Sequence, residues 1–339
     1  MTLFYITNLL SVAIAEEIIR INNIEHPIAC ITNFGNKDYY ANIKKSMNVQ
    51  LWAKIDLCSV RLFKRTRFKD IALYRKSLNR QYKEFVNLIK KDNVNEVYLP
   101  NIVSEEEKIL YYACKDNNIT INFFEEGTNL YFNLDNQSSK LRRYIRWILA
   151  GKYRYVTYSR EYFKADSIYC CFPDKYKFCN YNNKIKVNLK FDLNKNEKDK
   201  LDELNIDGLF LSRPLSEDNI LTEDIELETL IRFFSTFNKK NIYVKFHPRE
   251  SKEKIERIMK LIDIKEIPDD YKYMPAEKLV LYSNIKTLIG YETGTLAYAS
   301  ELKNVETYSL LNMIRNKSEY LNNIYNLYFN EFKKIRFID

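Results

Sequence analysis

The sequence predicts an α/β fold with two domains, each built around a parallel sheet. A chain of 339 residues is too long for one small domain and fits two of ordinary size. Short apolar runs alternate with helical patterns along the whole chain, which is typical of parallel strands joined by crossover helices. An apolar fraction of 46% excludes a disordered protein, and 6 glycines are too few for a collagen-like or Gly-rich all-β chain.

In the first half, the pattern predicts strands at residues 3–7, 27–32, 96–99 and 119–124. Leu10, Ile14 and Ile18 then fall on one face of a helix that follows the first strand. Because no Lys or Arg precedes this apolar segment, we interpret it as strand and helix and not as a signal peptide. Ser104 and Glu107 have the spacing of a capping box at the start of a later helix.

In the second half, strands are predicted at residues 208–212, 241–246 and 286–290. Helix faces are predicted at Leu227, Leu230, Ile231 and Phe234, and at Ile255, Ile258, Met259 and Ile262. The Lys- and Asn-rich segment 180–205 is the predicted linker. The predicted domains are 1–190, 206–310 and a helical segment 311–339 that could pack back on the first domain. Two Rossmann-like domains facing a central cleft would place ligands beyond the carboxyl ends of the strands.

Charge and cysteine pattern narrow the class of partner. The net charge of +9 favours an anionic partner such as nucleic acid, an acidic sugar or an anionic membrane surface. The cysteines form no CxxC pair, so we expect neither a zinc site nor a disulfide scaffold, and a reducing compartment is the default. No apolar run is long enough to span a membrane. The chain also lacks GxGxxG and GxxxxGK[ST], so dinucleotide and P-loop sites are not indicated.

The first candidate motif is an acid pair at the end of a strand. Phe123 and Phe124 run directly into Glu125, Glu126 and Gly127. Two adjacent carboxylates can supply a general base, since the like charge of one raises the pKa of the other. They can equally be acids that stabilise the first turn of a following helix. The motif alone leaves these two interpretations open.

The second motif surrounds one of only 2 histidines. Strand alternation places Lys245 and His247 on the same side at the exit of a predicted strand, and Pro248 ends that strand. A lysine and a histidine at this edge suit a phosphate-bearing leaving group, to which His247 could donate a proton. The other histidine, His26, precedes its strand and so lies at the opposite end, where a surface or capping role is expected.

The third motif follows the strand at 286–290. Thr293, Gly294 and Thr295 stand where a helix begins, and free N–H groups and hydroxyls at a helix start form an anion site. The same residues also fit an ordinary N-cap and tight turn. Its predicted place on the same sheet edge as His247 favours the functional interpretation.

Together and in this order, the three motifs resemble those of bacterial sialyltransferases with the two-domain GT-B fold. The sequence is most similar to glycosyltransferase family 52, the lipooligosaccharide and capsule sialyltransferases, with bacterial polysialyltransferases as near kin. The resemblance implies transfer of sialic acid from CMP-sialic acid to a sugar hydroxyl, with inversion and without a metal or other cofactor. No Asp-x-Asp pair, the usual ligand pair for a divalent ion, is present.

The resemblance also implies residue roles. Glu126 would be the general base supported by Glu125, and His247 would assist the departing CMP; Asp224 is a reserve candidate for the base. Thr293 and Thr295 would hold the donor phosphate, and Glu277 the ribose or cytosine. The residues expected to bind substrate are Gly127, Ser212, Arg213, Lys245, Pro248, Glu277, Thr293, Gly294 and Thr295.

Two basic stretches indicate further contacts. Residues 140–154 carry basic charges and no acid, interleaved with Tyr144 and Trp147, and a second cluster contains Arg61, Lys64, Arg65, Arg67 and Lys69. These suit an anionic membrane, an acidic glycan or simply a solvated helix face. The predicted partners are CMP-sialic acid, an oligosaccharide or glycolipid acceptor, the inner membrane face and a second copy of the chain, with no nucleic acid. The predicted location is cytoplasmic. Alternatives are a polysialyltransferase or other CMP-sugar transferase, and a non-catalytic polyanion-binding protein.

Overall fold

The computed structural model describes residues 1–32, 37–58, 71–100, 102, 104–132, 140–178, 181–239 and 241–339. The chain divides into two units, Met1–Asp192 and Leu193–Asp339, and each is described by itself. The predicted basic cluster at residues 61–69 lies outside the described residues.

The first unit contains seven strands and five α-helices in its described part. In chain order they are β1 (Thr2–Ile6), α1 (Leu9–Ile21), β2 (Pro27–Thr32), α2 (Lys37–Ser46), β3 (Lys54–Cys58), α3 (Ile71–Lys91), β4 (Glu96–Leu99), α4 (Glu105–Asp116), β5 (Thr120–Phe124), α5 (Lys140–Ala150), β6 (Ala165–Cys170) and β7 (Tyr181–Lys186).

The first sheet has the order β3-β2-β1-β4-β5-β6-β7, and every neighbouring pair is parallel. All residues of β1 and β2 are buried, as expected for central strands covered by helices on both faces. The direction of strand succession changes between β1 and β4. The carboxyl ends of these two strands therefore flank the position where open parallel sheets bind ligands.

The second unit contains a second sheet with its own helices. In chain order its elements are α6 (Lys195–Glu203), β8 (Gly208–Leu211), α7 (Glu223–Thr236), β9 (Ile242–Lys245), α8 (Lys252–Leu261), β10 (Lys265–Glu266), α9 (Asp269–Lys272), α10 (Ala276–Tyr282), β11 (Thr287–Gly290), α11 (Gly294–Leu302), β12 (Glu306–Ser309), α12 (Leu311–Ile314), α13 (Glu319–Glu331) and β13 (Arg336–Phe337).

This sheet has the order β10-β9-β8-β11-β12-β13 and is also parallel throughout. Its central strands β8 and β11 are fully buried, and the succession of strands changes direction between them. The turns after β8, β9 and β11 consequently emerge side by side at one edge. These turns carry the second and third sequence motifs.

Each of the seven strands predicted from sequence is present, with its ends within one residue of the prediction. The two parallel Rossmann-like sheets are confirmed. The boundary between the two units falls inside the predicted linker 180–205, and this segment also contains the edge strand β7 and the helix α6. A polar edge strand has no alternating apolar pattern to reveal it. The segment after residue 310 supplies β13 to the second sheet, where it pairs with β12.

Local capping signals explain where several helices begin. Asn8 caps α1 by accepting from the Ser11 N–H at 2.8 Å, and the predicted Ser104 capping box with Glu107 is present at α4. The N-terminal strand and helix are therefore as predicted. In α7 the buried residues include Leu227, Leu230 and Phe233, whereas Ile231 is 41% exposed, so the buried face is rotated from the predicted one.

The cysteine prediction needs a correction. Cys30, fully buried in β2, is disulfide-bonded, whereas Cys114, Cys170 and Cys171 carry free thiols. Its partner is therefore not among the other side chains described. Within the described ranges, no helix combines the length and apolar character needed to cross a bilayer.

Candidate active site

The acid pair after β5 consists of two carboxylates in different environments. Glu125 is fully buried, and one of its carboxylate oxygens accepts the Tyr131 hydroxyl and the Cys171 N–H, both at 2.6 Å. These contacts tie the turn after β5 to the end of β6. Glu125 therefore supports the turn that carries Glu126, and its carboxylate does not reach solvent.

Glu126 is only half-buried and is held by the turn between β1 and α1. The Thr7 hydroxyl donates a short hydrogen bond to its carboxylate, and the Asn8 side-chain amide donates to its backbone carbonyl at 3.0 Å. Next to it, Gly127 has φ 157° and ψ 175°, a conformation essentially restricted to glycine. Open space lies where a Cβ of residue 127 would be, so the backbone there leaves room beside Glu126.

Burial raises the pKa of Glu126 to about 8, and the negative charge of Glu107 adds to this shift. The hydrogen bond from Thr7 and the charge of Arg160 oppose it. Raised pKa values place a carboxyl group close to the operating pH, where a general base is most effective. Glu126 therefore has the pKa expected of a group that exchanges protons near neutral pH.

A second carboxyl group at this edge behaves similarly. Burial raises the pKa of Glu106 to about 7, assisted by Glu107 and Glu105, while a hydrogen bond with Tyr5 lowers it. Glu106 and Glu107 lie in the first turn of α4, which follows β4. The carboxyl edge of the first sheet is thus acidic, and two of its carboxyl groups, Glu106 and Glu126, retain protons near neutral pH.

On the second sheet, His247 begins a tight turn after β9. The Glu250 N–H donates to the His247 carbonyl at 3.0 Å, and the Arg249 N–H donates to His247 Nδ1 at 3.2 Å. Since Nδ1 accepts this bond, the proton of the neutral ring resides on Nε2. Burial lowers the pKa of His247, and the charge of Arg249 lowers it further. His247 therefore presents a neutral imidazole that donates from Nε2.

Of the two other residues predicted around His247, only Lys245 is held elsewhere. Lys245 donates to the Tyr271 carbonyl at 3.1 Å and to the Lys272 carbonyl, at the end of α9. Burial lowers the pKa of Lys245 to about 8, an effect opposed by the charge of Glu277. Pro248 is exposed beside His247.

The residues after β8 join neighbouring turns. The Ser212 hydroxyl donates to Glu250 at 2.6 Å. Arg213 forms an ion pair with Glu292, which follows β11. This pair connects the ends of β8 and β11, where the strand order changes direction. Arg213 is thus neutralised by a carboxylate of its own domain.

The third motif separates its two threonines. Thr293 is the N-cap residue of α11 but makes no capping bond, and within the described part of the chain its buried hydroxyl oxygen has no hydrogen-bond partner. The Thr295 hydroxyl instead donates to Glu277 at 2.7 Å. With Gly294 at the first helical position, the start of α11 offers N–H groups and the Thr293 hydroxyl to an anion. Of the two threonines, Thr295 thus has its hydroxyl engaged by Glu277, whereas Thr293 has no such partner among the described residues.

Two competing residues occupy poor positions for catalysis. Asp224 lies in the first turn of α7 with a side chain 86% exposed, and it pairs with Arg257 at 3.1 Å. Its carboxylate is therefore solvated, unlike that of Glu126. His26 is exposed and precedes β2, so it lies at the amino end of its strand, as predicted.

Sequence reasoning missed several residues that shape these edges. Thr7 and Asn8 lie 119 and 118 positions from Glu126, so no local pattern links them. No role was predicted for Glu250 or Lys254. The available signals were the Asn8 to Ser11 cap directly after the first strand and the i,i+4 spacing of Glu250 and Lys254.

The basic helix α5 has an exposed aromatic face. Tyr144 is 61% exposed and Trp147 is 37% exposed, and their rings stack with centroids 6.2 Å apart. The Arg154 guanidinium lies 5.3 Å from the Trp147 ring centroid. Among the residues described, no group of three or more His, Cys, Asp or Glu side chains is arranged to hold a metal ion.

Comparison with solved structures identifies the fold. A UDP-glucosyltransferase from Polygonum tinctorium matches with a TM-score of 0.53 and 10% identity, covering 93% of this chain and 82% of that one. CalG4, the calicheamicin glycosyltransferase, matches with a TM-score of 0.52 and 9% identity over 99% and 85% of the two chains. The UDP-GlcNAc 2-epimerase from Methanocaldococcus jannaschii matches with a TM-score of 0.52 and 12% identity over 100% and 89%. The chain has the GT-B fold.

The family follows from the sequence as a whole. The family model of alpha-2,8-polysialyltransferase (POLYST) matches residues 2–312, and the chain belongs to that family of glycosyltransferases. This is the group predicted from the sequence motifs as near kin, while the resemblance to glycosyltransferase family 52 stays a prediction. None of the curated proteins matches the chain.

Proposed function

We propose that this protein is an inverting sialyltransferase that moves sialic acid from CMP-sialic acid to a sugar hydroxyl of a bacterial surface glycan. The observation that carries the proposal is the raised pKa of Glu126 at the carboxyl edge of the first sheet, in a chain of this family. A carboxylate with such a pKa is a stronger base than an ordinary glutamate. The transfer would need no metal ion.

In this mechanism, the acidic edge activates the acceptor. Ionised Glu126 takes the proton of the acceptor hydroxyl, and the oxygen forms a bond to the anomeric carbon of sialic acid. Thr7 and Asn8 orient the base through their hydrogen bonds. Glu125 holds the turn in place through its hydrogen bonds with Tyr131 and Cys171. The ionised fraction of Glu126 increases with pH, and the rate increases with it.

The second edge receives the leaving group. As the bond from the anomeric carbon to the phosphate oxygen breaks, its electron pair passes to CMP. His247 Nε2–H, the Thr293 hydroxyl and the N–H groups at the start of α11 are available to stabilise that charge. Glu277 and Ser212 remain candidates for contacts to the nucleoside. These donors are already held in place by the fold, so the protein does not need to reorganise as the charge develops.

The family match favours a second candidate within the same chemistry, a polysialyltransferase that extends an alpha-2,8-linked chain. Incubation with CMP-sialic acid and either a short galactoside or an oligosialic primer separates the two. Transfer to the galactoside supports single sialylation, and repeated transfer to the primer supports polymerisation. Absence of CMP release with both acceptors, in EDTA or with added Mg²⁺, would contradict the proposal.

Peripheral association with an anionic inner membrane face is proposed for the exposed α5 surface. Tyr144, Trp147 and Arg154 combine aromatic area with positive charge. The rival class, a non-catalytic polyanion-binding protein, would use the same surface. In that case salt-sensitive binding to an acidic polysaccharide would be the only activity, and substitution of Glu126 or His247 would leave it unchanged.

A further inference from the structure

Behind His247 lies a buried network of charges that the proposed mechanism does not use. Lys254 on α8 is fully buried and pairs with Glu226 at 2.7 Å, Glu250 at 3.2 Å and Glu217 at 3.2 Å. Its ammonium also donates to the Arg213 carbonyl at 3.1 Å. Burying charges is costly unless they are paired and hydrogen-bonded, and here every carboxylate shares the same lysine.

Glu250 is the member of this network that contacts the candidate active site. One carboxylate oxygen accepts a hydrogen bond from the Ser212 hydroxyl at 2.6 Å, and the other accepts one from the backbone N–H of His247 at 2.6 Å. Ser212 follows β8 and His247 follows β9, so one side chain connects the exits of two neighbouring strands.

The contact with the backbone N–H of His247 is one of two hydrogen bonds that join Glu250 to His247 across the turn. Glu250 donates its own N–H to the His247 carbonyl and accepts the His247 N–H with its side chain. This turn also places the Arg249 N–H against His247 Nδ1 at 3.2 Å. The ring nitrogen that carries the proton therefore depends on the geometry of the turn.

We propose that Glu250, anchored by Lys254, is a positioning residue that fixes the His247 turn and keeps the imidazole proton on Nε2, toward the leaving phosphate. The part about the phosphate rests on the proposed function, whereas the control of the tautomer does not. Glu250 acts through the backbone and touches no substrate. Partners that orient a metal-bound imidazole contribute about ten- to a hundredfold in affinity or activity, and we expect an effect at the lower end of that range here.

The test is nitrogen NMR of the two histidines in the full chain labelled with ¹⁵N-histidine. The neutral tautomers have distinct ring-nitrogen shifts, and exposed His26 serves as an internal reference. In the unsubstituted protein we expect His247 to be the Nε2–H form. In Glu250→Gln we expect a mixture of tautomers, and a fall in kcat of about tenfold with the acceptor KM unchanged.

The matched control is Glu226→Gln, which removes the same charge beside Lys254 but touches neither Ser212 nor His247. It should keep the wild-type tautomer and turnover. A wild-type tautomer and turnover in Glu250→Gln, or equal changes in both variants, would overturn the proposal. If Glu250→Gln does not fold, Glu250→Asp keeps the charge near Lys254 and withdraws the oxygens from His247, and the same tautomer change is expected.

The same spectra separate this proposal from the proposed function. If CMP leaves the His247 signals of the unsubstituted protein unchanged, the donor site assigned to this edge is wrong. The comparison of Glu250→Gln with Glu226→Gln then still decides whether Glu250 sets the tautomer.

Discussion

The two sheets share one parallel topology, yet their carboxyl edges carry opposite chemistry. The first edge gathers Glu106, Glu107 and Glu126, and burial together with the negative charge of Glu107 raises the pKa values of Glu106 and Glu126. At the second edge the carboxylates are paired with buried or bridging cations, which leaves a neutral imidazole and the Thr293 hydroxyl available. In the proposed mechanism, the same arrangement of strands thus provides a proton acceptor in one unit and an anion site in the other.

This contrast shows that strand order determines where a site lies, while the turns determine its charge. In both units the functional side chains follow strands at or beside the change in strand direction. What differs is the partner of each carboxylate. The acids of the first edge have like charges nearby, and Glu250 at the second edge has Lys254.

The strongest test of the contrast is removal of the base. Glu126→Gln keeps the size of the side chain but cannot accept the proton, so kcat should fall about a thousandfold. Turnover of CMP-sialic acid with a saturating acceptor measures it. Asp224→Asn is the control, because its exposed carboxylate should have no role. A larger loss of kcat in Asp224→Asn than in Glu126→Gln would mean that Asp224 on α7 is the base.

The next largest effect concerns the imidazole. His247→Ala should lower the rate by at least about a hundredfold, because it removes the donor to the leaving phosphate. His26→Ala should leave the rate unchanged, since His26 is exposed at the amino end of its strand. Steady-state kinetics of both variants provide the comparison, and equal losses would refute the argument from strand ends.

A smaller effect is expected in the pH profile. Because Glu126 must be ionised to act, kcat/KM should increase with pH and level off above its pKa of about 8. Glu107→Gln removes a like charge but keeps a capping side chain. The pKa of Glu126 should therefore fall, and the rising part of the pH profile should move to lower pH by about half a unit. Thr7→Val removes a hydrogen-bond donor that stabilises ionised Glu126, so the rising part of the profile should move to higher pH. Shifts of the same sign in both variants would contradict this account of the pKa.

The smallest effect concerns stability. A carboxyl group whose folded pKa is raised favours the folded state when protonated, so its contribution is lost as pH increases. For Glu106 that loss should span from its ordinary value of 4.5 to about 7. Glu106→Gln should therefore gain about 2–4 °C in Tm relative to the parent on going from pH 5 to pH 8. Calorimetry at both pH values checks the sign, and a constant Tm difference would argue against a perturbed Glu106.

The fold could be predicted from the sequence because buried parallel strands are apolar runs between helical patterns. The edge strand β7 could not, because its residues are largely polar and exposed. The site was partly predictable in the same sense. The sequence indicated Glu125 and Glu126 together, but only the contacts of Tyr131 and Cys171 assign Glu125 to the interior.

Lys254 illustrates why the remainder was not predictable. A lysine on a helix normally lies in solvent, and its carboxylate partners come from α7 and from loops before and after it. Only the Glu250–Lys254 pair has a spacing, i,i+4, that the sequence shows, whereas Glu217 and Glu226 reach Lys254 through tertiary packing alone. The same applies to Thr7, which meets Glu126 only when β1 and β5 share a sheet.

The proposal assigns activation of the acceptor to the first edge and binding of the donor to the second. Calorimetric titration with CMP tests this assignment most directly. Thr293→Val should weaken CMP binding by about tenfold, since it removes one hydrogen bond to a charged group without removing a helix cap. Glu126→Gln should bind CMP like the unsubstituted protein. Equal weakening in both variants, or no binding of CMP to the unsubstituted protein, would contradict the assignment of the donor to the second edge.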